Sequence, residues 1–224
     1  MQASTHSMPQ GILFDLDGTI ADTADDLCAA VNRMRTRRQL LPLDHHCMRP
    51  LVSFGSTKLL DLGLGIPVTH QDFPEYRHEF LTEYETHICQ QTTLFQGMEE
   101  TLEFLEKNKI KWGIVTNKPE KLTHQLLQFL PICPACVVGG DTCSRAKPYP
   151  DPLLLAAETL RLAPESCLYV GDAEHDMQAA TAANMQGVIA LYGYIDPNAQ
   201  PEKWAAPYRI QHPLDLIQLI HSLS

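Results

Sequence analysis

The chain has 224 residues, of which 44% are hydrophobic, so it can bury the core of one large domain or of a domain that carries a smaller insert. Its 17 Lys and Arg against 27 Asp and Glu give a net charge of −10, which argues against a general nucleic-acid binder. The chain has no run of about 18 apolar residues, so we expect no membrane span. The polar start MQASTHSMPQ lacks the charged and then apolar order of a signal peptide, so we expect a cytoplasmic protein.

Short apolar segments alternate with helical patterns along most of the chain. The apolar segments are GILF (11–14), KWGIV (111–115), CVVGG (136–140), CLYV (167–170) and GVIALY (187–192). The helical patterns cover residues 99–109, 121–130, 151–162 and 175–185. Strands that alternate with helices are typical of βαβ units, so we predict an α/β fold with a Rossmann-like parallel sheet flanked by helices.

The stretch from residue 22 to residue 90 departs from this alternation. It contains two amphipathic helical patterns, with no convincing strand between them. Their apolar stripes are Leu27, Ala30, Val31 and Met34 in the first, and Tyr76, Phe80 and Tyr84 in the second. We therefore predict an all-helical insert over residues 22–90 in a core built from residues 1–21 and 91–224.

Seven cysteines in a chain without an export signal are expected to be reduced thiols. Cys133 and Cys136 form one CxxC pair, but no further ligand at a recognisable spacing indicates a zinc site. Buried or loop thiols are the favoured interpretation.

Polar residues follow several of the predicted strands. Ligands of open parallel sheets bind outside the carboxyl ends of the strands, so these residues are expected to converge. The set is Asp15, Asp17, Thr116, Asn117, Asp172 and Asp176, with Lys147 placed to reach the same edge. Several acids, one hydroxyl and one amine suit a hard cation, most simply Mg²⁺, and a phosphoryl group whose charge must be neutralised.

Asp15 and Asp17 stand one residue apart in the segment DLDG. In an extended segment, side chains two residues apart point to the same face, so both carboxylates can address one substrate. One can attack phosphorus while the other transfers the proton to and from the reacting oxygens. Gly18 permits the sharp turn that follows and a close approach of backbone N–H groups to the phosphate.

Four motifs together resemble those of the haloacid dehalogenase superfamily, and the resemblance covers nearly the whole chain. In chain order they are FDLDGTIADT, IVTNKP, AKPYPDP and VGDAEHD. The helical insert is similar to the cap with which members of that family close over their substrates. The resemblance thus implies a catalytic core, a mobile cap and a small-molecule phosphate ester as the partner.

The resemblance also implies a role for each motif residue. Asp15 would be the nucleophile and Asp17 the general acid and base. Thr116 would bind a phosphate oxygen with Asn117 beside it, and Lys147 would hold the phosphate and the charge of the nucleophile. The implied Mg²⁺ site consists of Asp15, the backbone carbonyl of Asp17, Asp172 and, in support, Asp176. We expect Lys118 and Glu174 to be solvated rim residues and His175 to be a surface residue.

Asp17 narrows the choice within the superfamily. Dehalogenases and phosphonate-cleaving members do not keep a carboxylate at that position, so Lys58 of the insert is not expected to form an imine. Phosphate-ester hydrolysis and a sugar phosphomutase remain, beside a phosphate-binding protein that has lost catalysis. The finer resemblance is to the phosphoglycolate phosphatase branch, and within it to N-acetylmuramic acid 6-phosphate phosphatases. It rests on LFQGM, KWGIVTNKP, LYGYIDP, Trp204 and HPLDLIQLI.

Substrate choice is expected to lie in the insert, where MRPLVSFGSTKLL is the informative segment. Arg49, Ser53 and Gly55 would form a specificity loop that reaches the site. The alternative is a helix-capping turn rich in small residues. The expected hinges are near Ala21–Asp22 and Thr93–Gln96. A monomer and a homodimer both remain open.

Overall fold

The computed structural model of the chain describes residues 8–223, so the expectation about the N-terminal leader lies largely outside the described residues. Within that range the strands are β1 (Gly11–Phe14), β2 (Ala21–Asp22), β3 (Thr93–Leu94), β4 (Lys111–Val115), β5 (Val137–Val138), β6 (Cys167–Gly171), β7 (Gln186–Ala190) and β8 (Tyr208–Ile210). The α-helices are α1 (Ala24–Arg37), α2 (His45–Met48), α3 (Ser56–Leu64), α4 (Phe73–Thr86), α5 (Met98–Lys107), α6 (Glu120–Leu127), α7 (Asp151–Leu160), α8 (Glu174–Ala182) and α9 (Asp215–Ser222). Three 3-10 turns complete the set, at Arg49–Phe54, Pro164–Ser166 and Pro201–Lys203.

Six strands form one sheet in the order β5-β4-β1-β6-β7-β8, and every neighbouring pair is parallel. The predicted Rossmann-like parallel sheet is therefore confirmed. The five predicted strands correspond to β1, β4, β5, β6 and β7, whereas the edge strand β8 and the final helix α9 were not predicted from the sequence. Neither carries a predicted site residue.

Successive residues of the central strand β1 point to opposite faces of the sheet, and each face is covered by helices. Ile12 and Phe14 belong to a buried cluster that includes residues of α5 and α9. Leu13 belongs to a second cluster that includes residues of α7 and α8. Because both faces of a parallel sheet are buried, its strands are apolar throughout and only their ends carry polar chemistry.

The segment between β2 and β3 contains only helices and turns, and it has a hydrophobic cluster of its own. We call α1 to α4 the cap. Its buried residues come mainly from α1, α3 and α4, and Leu122 of α6 and Tyr194 join them from the core side. The predicted all-helical insert is confirmed, while residues 22 and 90 as its limits remain a prediction.

The two chain crossings between core and cap pair with each other. Strand β2 runs antiparallel to β3, with Ala21 opposite Leu94 and Asp22 opposite Thr93. The expected hinges therefore lie side by side in one two-stranded ribbon.

Two further features of the described residues bear on the expectations from the sequence. All seven cysteines are free thiols, with Cys136 buried and Cys133 exposed. Across residues 8–223, no helix has both the length and the apolar character needed to cross a bilayer.

Candidate active site

The candidate site lies where three adjacent strands end. Asp15 follows β1, Thr116 follows β4 and Asp172 follows β6, and these strands are neighbours in the order β4-β1-β6. The chain runs from β1 outward to β4 and β5 and then crosses back to β6, so β1 marks the switch point at which α/β sheets bind ligands. A cavity of about 470 Å³ opens there between the core and the cap.

Lys147 is the centre of the buried part of the site, and its side chain is completely inaccessible to solvent. The Nζ atom lies 3.0 Å from Asp15 Oδ1 and 2.7 Å from Asp176 Oδ1. It also donates to the Val115 carbonyl at 3.1 Å and to the Tyr169 hydroxyl at 2.7 Å. One ammonium thus holds the carboxylate that follows β1 and the carboxylate of Asp176 in α8 in a fixed arrangement.

Mutual charge sets the protonation of this group. Burial works against the charged ammonium, but Asp15 and Asp176 outweigh it and raise the pKa of Lys147. Burial also acts to raise the pKa of Asp176, yet Lys147 and His175 outweigh it and lower that pKa. For Asp15, burial prevails over the attraction of Lys147, and the pKa of its carboxyl is raised. Lys147 is therefore a permanent cation.

Asp172 faces this group without a cation of its own in the described structure. Its Oδ2 atom accepts hydrogen bonds from Ser53 Oγ at 2.7 Å and from the Tyr194 N–H at 2.8 Å. Burial, and then the negative charges of Asp15 and Asp176, raise the pKa of the Asp172 carboxyl to about 8. A buried acid at this position favours either a proton or a bound cation.

Both the backbone conformation at position 18 and the closeness of Asp172 require a glycine there. Its φ is +84°, and a Cβ atom there would lie 2.2 Å from Asp172 Oδ2. Any side chain would therefore displace Asp172. The Gly18 N–H donates to the Ala21 carbonyl at 3.0 Å, so contacts to a phosphate must come from neighbouring N–H groups.

Asp17 forms an ion pair with Lys118, which the sequence analysis placed at the solvated rim of the site. Lys118 Nζ lies 3.0 Å from Asp17 Oδ1 and 3.2 Å from Oδ2, and Thr23 Oγ1 donates to Oδ1 at 2.6 Å. The expectation of a solvated rim residue at Lys118 is wrong, because its side chain is only 5% exposed. Its ammonium also lies 4.3 Å from the ring centroid of Tyr84 in α4, which places a cap residue against it.

Thr116 and Asn117 both line the cavity. The Thr116 hydroxyl accepts from the Lys118 N–H at 3.2 Å and keeps its own proton available to a ligand. The Asn117 side chain accepts from the Lys147 N–H at 3.0 Å and donates to the Lys147 carbonyl at 3.1 Å. Asn117 therefore fixes the backbone of Lys147, and its contact with a phosphate remains a prediction.

His175 and Glu174 differ in their surroundings. Glu174 is exposed, as expected, whereas His175 is half-buried and lines the cavity. Its Nε2 atom is 3.7 Å from Asp176 Oδ1. Ligand atoms of Asp15, His175 and Asp176 lie within 4.8 Å of one another, so this acidic cluster is able to hold a metal ion. The expectation of a plain surface residue at His175 is wrong.

Only part of the cap segment MRPLVSFGSTKLL, which was expected to determine substrate choice, reaches the site. Ser53 and Gly55 line the cavity, and Ser53 also bonds to Asp172. Arg49 instead forms a two-pronged ion pair with Asp22, at 2.8 and 2.7 Å, and stacks on the Tyr194 ring. It lies at the hinge, outside the lining of the cavity, and its role in substrate binding remains a prediction.

Three tyrosines of the site were not identified from the sequence. Tyr169 in β6 donates its hydroxyl to the Val115 carbonyl at 2.8 Å and lies 3.3 Å from Asp176 Oδ1. Tyr194 joins the hinge to Asp172, and Tyr84 covers Lys118. The one available signal was a hydroxyl-bearing residue in the otherwise apolar strand CLYVG, since a buried tyrosine hydroxyl needs a partner.

Comparison with known proteins agrees with this geometry. The family profile described as haloacid dehalogenase-like hydrolase matches residues 12–190. A phosphoglycolate phosphatase of Xanthomonas campestris is 41% identical over 213 residues, which cover 93% of this chain and 95% of that protein. An N-acetylmuramic acid 6-phosphate phosphatase of Pseudomonas putida is 35% identical over 215 residues, covering 95% of this chain and 96% of that one. The crystal structure of a predicted phosphoglycolate phosphatase from Haemophilus somnus has a TM-score of 0.83 at 25% identity, covering 95% of this chain and 98% of that chain.

Proposed function

The chain belongs to the haloacid dehalogenase-like hydrolase family, and on that premise we propose that it is a Mg²⁺-dependent phosphatase that hydrolyses phosphate monoesters through an aspartyl phosphate. The observation that carries the proposal is the pairing of the two aspartates of DLDG with two different lysines at one cavity. Asp15 is held by Lys147, and Asp17 by Lys118. Two carboxylates in two different environments suit two different chemical roles.

In the proposed reaction, a carboxylate oxygen of Asp15 forms a bond to phosphorus while the bond from phosphorus to the ester oxygen breaks. Asp17 gives its proton to the departing oxygen. Asp17 then takes a proton from a water molecule whose oxygen bonds to phosphorus while the bond from phosphorus to Asp15 breaks, which releases inorganic phosphate and restores the Asp15 carboxylate and the protonated Asp17. Lys147 and the Thr116 hydroxyl would bind the phosphoryl oxygens throughout.

Charge balance supports a divalent cation at this site. Asp15, Asp172 and Asp176 are buried, and the one lysine among them, Lys147, contacts Asp15 and Asp176, while Asp17 is paired with Lys118. Three carboxylates and one ammonium leave two negative charges, which a divalent ion with a preference for oxygen ligands would balance. We propose that Asp15, Asp172 and the Asp17 carbonyl hold Mg²⁺, with Asp176 in support. The ion would supply charge neutralisation for the phosphoryl group.

For the substrate, we propose N-acetylmuramic acid 6-phosphate. The cavity of about 470 Å³ extends from Asp15 to cap residues of α4, which is ample for a sugar phosphate. The second candidate is 2-phosphoglycolate, because the Xanthomonas campestris relative that is 41% identical carries that name. A phosphomutase would need a bisphosphate activator and would release no phosphate. A cytoplasmic location and a monomeric or homodimeric state stay predictions.

The test is phosphate release with Mg²⁺ from both esters in parallel, with Asp15→Asn as the control for chemistry. We expect a kcat/KM preference for the amino sugar of roughly a hundredfold, which corresponds to about 2.7 kcal/mol of transition-state stabilisation. The Asp15→Asn variant should keep its circular dichroism spectrum and lose turnover. Wild-type rates in that variant would contradict the aspartyl phosphate.

A further inference from the structure

Helix α4 of the cap has two faces with different electrostatic surroundings. On the face toward α1, Glu79 and Glu83 form ion pairs with arginines of that helix. On the face toward the cavity, Arg77, Phe80, Leu81 and Tyr84 form a stripe that lines the cavity wall. Their spacing of i, i+3, i+4 and i+7 is that of one side of a helix.

Arg77 is the charged member of this stripe, and it is exposed to the cavity. Within residues 8–223, no carboxylate lies at ion-pair distance from it, although Arg33 and Arg37 of α1 and Arg38, which caps that helix, are all paired. A guanidinium presents a fork of donors that matches a carboxylate or a phosphate. An unpaired guanidinium in the wall of an enzyme's cavity is therefore available to an anionic group of the ligand.

The helix also fixes how far this cation lies from the chemistry. Tyr84 contacts Lys118, which is 3.0 Å from Asp17, so the C-terminal end of the stripe lies over the acid and base. Arg77 precedes Tyr84 by seven residues, which places it about 10 Å away along the helix axis at a rise of 1.5 Å per residue. The cation thus faces the end of the substrate that is remote from the phosphate.

We infer that Arg77 determines specificity by binding a second anionic group of the substrate, a carboxylate at the end remote from the phosphate. The inference rests on the proposed phosphatase function and deepens it. In N-acetylmuramic acid 6-phosphate, the carboxylate belongs to a lactyl group on C3, which is separated from the phosphorylated C6 by the ring carbons C4 and C5. In 2-phosphoglycolate, the carboxylate is attached directly to the carbon that bears the phosphate, so it lies too close to the phosphate to reach Arg77.

The test compares two esters that differ only in the lactyl group that carries this carboxylate, N-acetylmuramic acid 6-phosphate and N-acetylglucosamine 6-phosphate. Arg77→Gln should lower kcat/KM for the first roughly tenfold or more, chiefly through KM, and leave the second within about twofold. The matched control is Lys58→Gln, which removes an exposed cap cation that lies outside the cavity lining. It should change neither ester.

Binding without turnover gives a second readout. In an Asp15→Asn background, calorimetry should show that Arg77→Gln weakens N-acetylmuramic acid 6-phosphate selectively and that Arg77→Lys recovers part of the loss. Equal effects on both esters, or no effect on either, would overturn the inference. In that case, hydrolysis of p-nitrophenyl phosphate by the parent protein would still support the proposed phosphatase function. If the parent protein hydrolyses no phosphate ester at all, the proposed function falls, and the binding arm still decides the role of Arg77. Selective loss of 2-phosphoglycolate turnover would overturn the remote position of the carboxylate.

Discussion

The pair formed by Asp17 and Lys118 shows how a single side chain ties the cap to the reaction. Lys118 is buried between a carboxylate of the core and an aromatic ring of the cap. Burial disfavours its charge, but Asp17 outweighs this effect and raises the pKa of the ammonium. Lys118 therefore stays charged and holds Asp17 in one orientation, which makes it a positioning residue for the proposed acid and base.

We expect Lys118→Met to lower kcat by roughly a hundredfold, because Asp17 would lose its buried partner and its fixed position. The matched control is Lys121→Met in α6, since Lys121 is exposed and pairs with Glu85. Steady-state kinetics on N-acetylmuramic acid 6-phosphate check both variants. A Lys118→Met rate within twofold of the parent would contradict the positioning role.

The raised pKa of Asp172, about 8, has a consequence for stability in the absence of metal. The folded protein binds a proton at Asp172 more tightly than the unfolded chain does, whose carboxyl has the ordinary value of 3.8. This contribution to stability is complete below the unfolded value and is lost as the pH rises through the folded value. With EDTA present, stability should therefore fall between about pH 4 and pH 8.

Asp172→Asn should remove much of that dependence, because the amide stays neutral. We compare the two proteins in EDTA by the melting temperature of the variant minus that of the parent. This difference should be about 5 °C larger at pH 8 than at pH 5. Adding Mg²⁺ should raise the melting temperature of the parent and leave the variant unchanged. Parallel melting curves for the two proteins across this pH range would contradict the prediction.

At the scale of elements, the ribbon of β2 and β3 is held to the core by Tyr194. The Tyr194 hydroxyl accepts from the N–H groups of Thr23 and Ala24, at 2.7 and 3.0 Å, and donates to Asp22 at 2.8 Å. Those residues end β2 and begin α1. On the other crossing, Asp26 of α1 accepts from the N–H groups of Gln91 and Thr92. The chain is thus hydrogen-bonded next to the ribbon at both crossings, where we expect the hinges.

Tyr194→Phe should destabilise the fold by roughly 1–3 kcal/mol, because it leaves the N–H groups of the buried residues Thr23 and Ala24 without their acceptor. It should also raise KM, since α1 and the rest of the cap lose their fixed start. Tyr192→Phe is the control, because the Tyr192 hydroxyl makes a single bond, to the Thr19 carbonyl at 2.9 Å. Urea unfolding and steady-state kinetics provide the readouts. Equal losses in the two variants would count against a special role for the hinge.

Whether a feature could be predicted from the sequence depends on how far apart its residues lie along the chain. The ends of β1, β4 and β6 were predictable, since apolar runs and the residues after them are local features of the sequence. The contact of Lys118 with Asp17 joins residues 101 positions apart, and that of Ser53 with Asp172 joins residues 119 apart. The first contact depends on which strands are neighbours in the sheet, and the second depends on the angle of the cap against the core; no local pattern encodes either.

For the whole molecule, the predicted α/β architecture with an all-helical insert holds, and the errors lie at its margins. Strand β8 has only three residues and one buried side chain, so it is too short for an alternation of apolar and polar residues to be detected in the sequence. His175 follows Asp172 by three residues and is carried into the cavity by the start of α8. Its placement depends on the turn between β6 and α8, which the motif letters do not describe.

The ribbon formed by β2 and β3 has a topological consequence. Two antiparallel strands whose ends lie opposite each other form the base of a hairpin, and the whole cap occupies the place of the hairpin's loop. Closing a long loop adds little entropy cost over a short one, about 0.6 kcal/mol for each doubling of length. From the core's side, the cap is thus an interchangeable cassette. Another helical segment, or a two-residue Asn-Gly turn, would satisfy the same two strands, but Asp172 would lose its bond from Ser53 and Lys118 its contact with Tyr84.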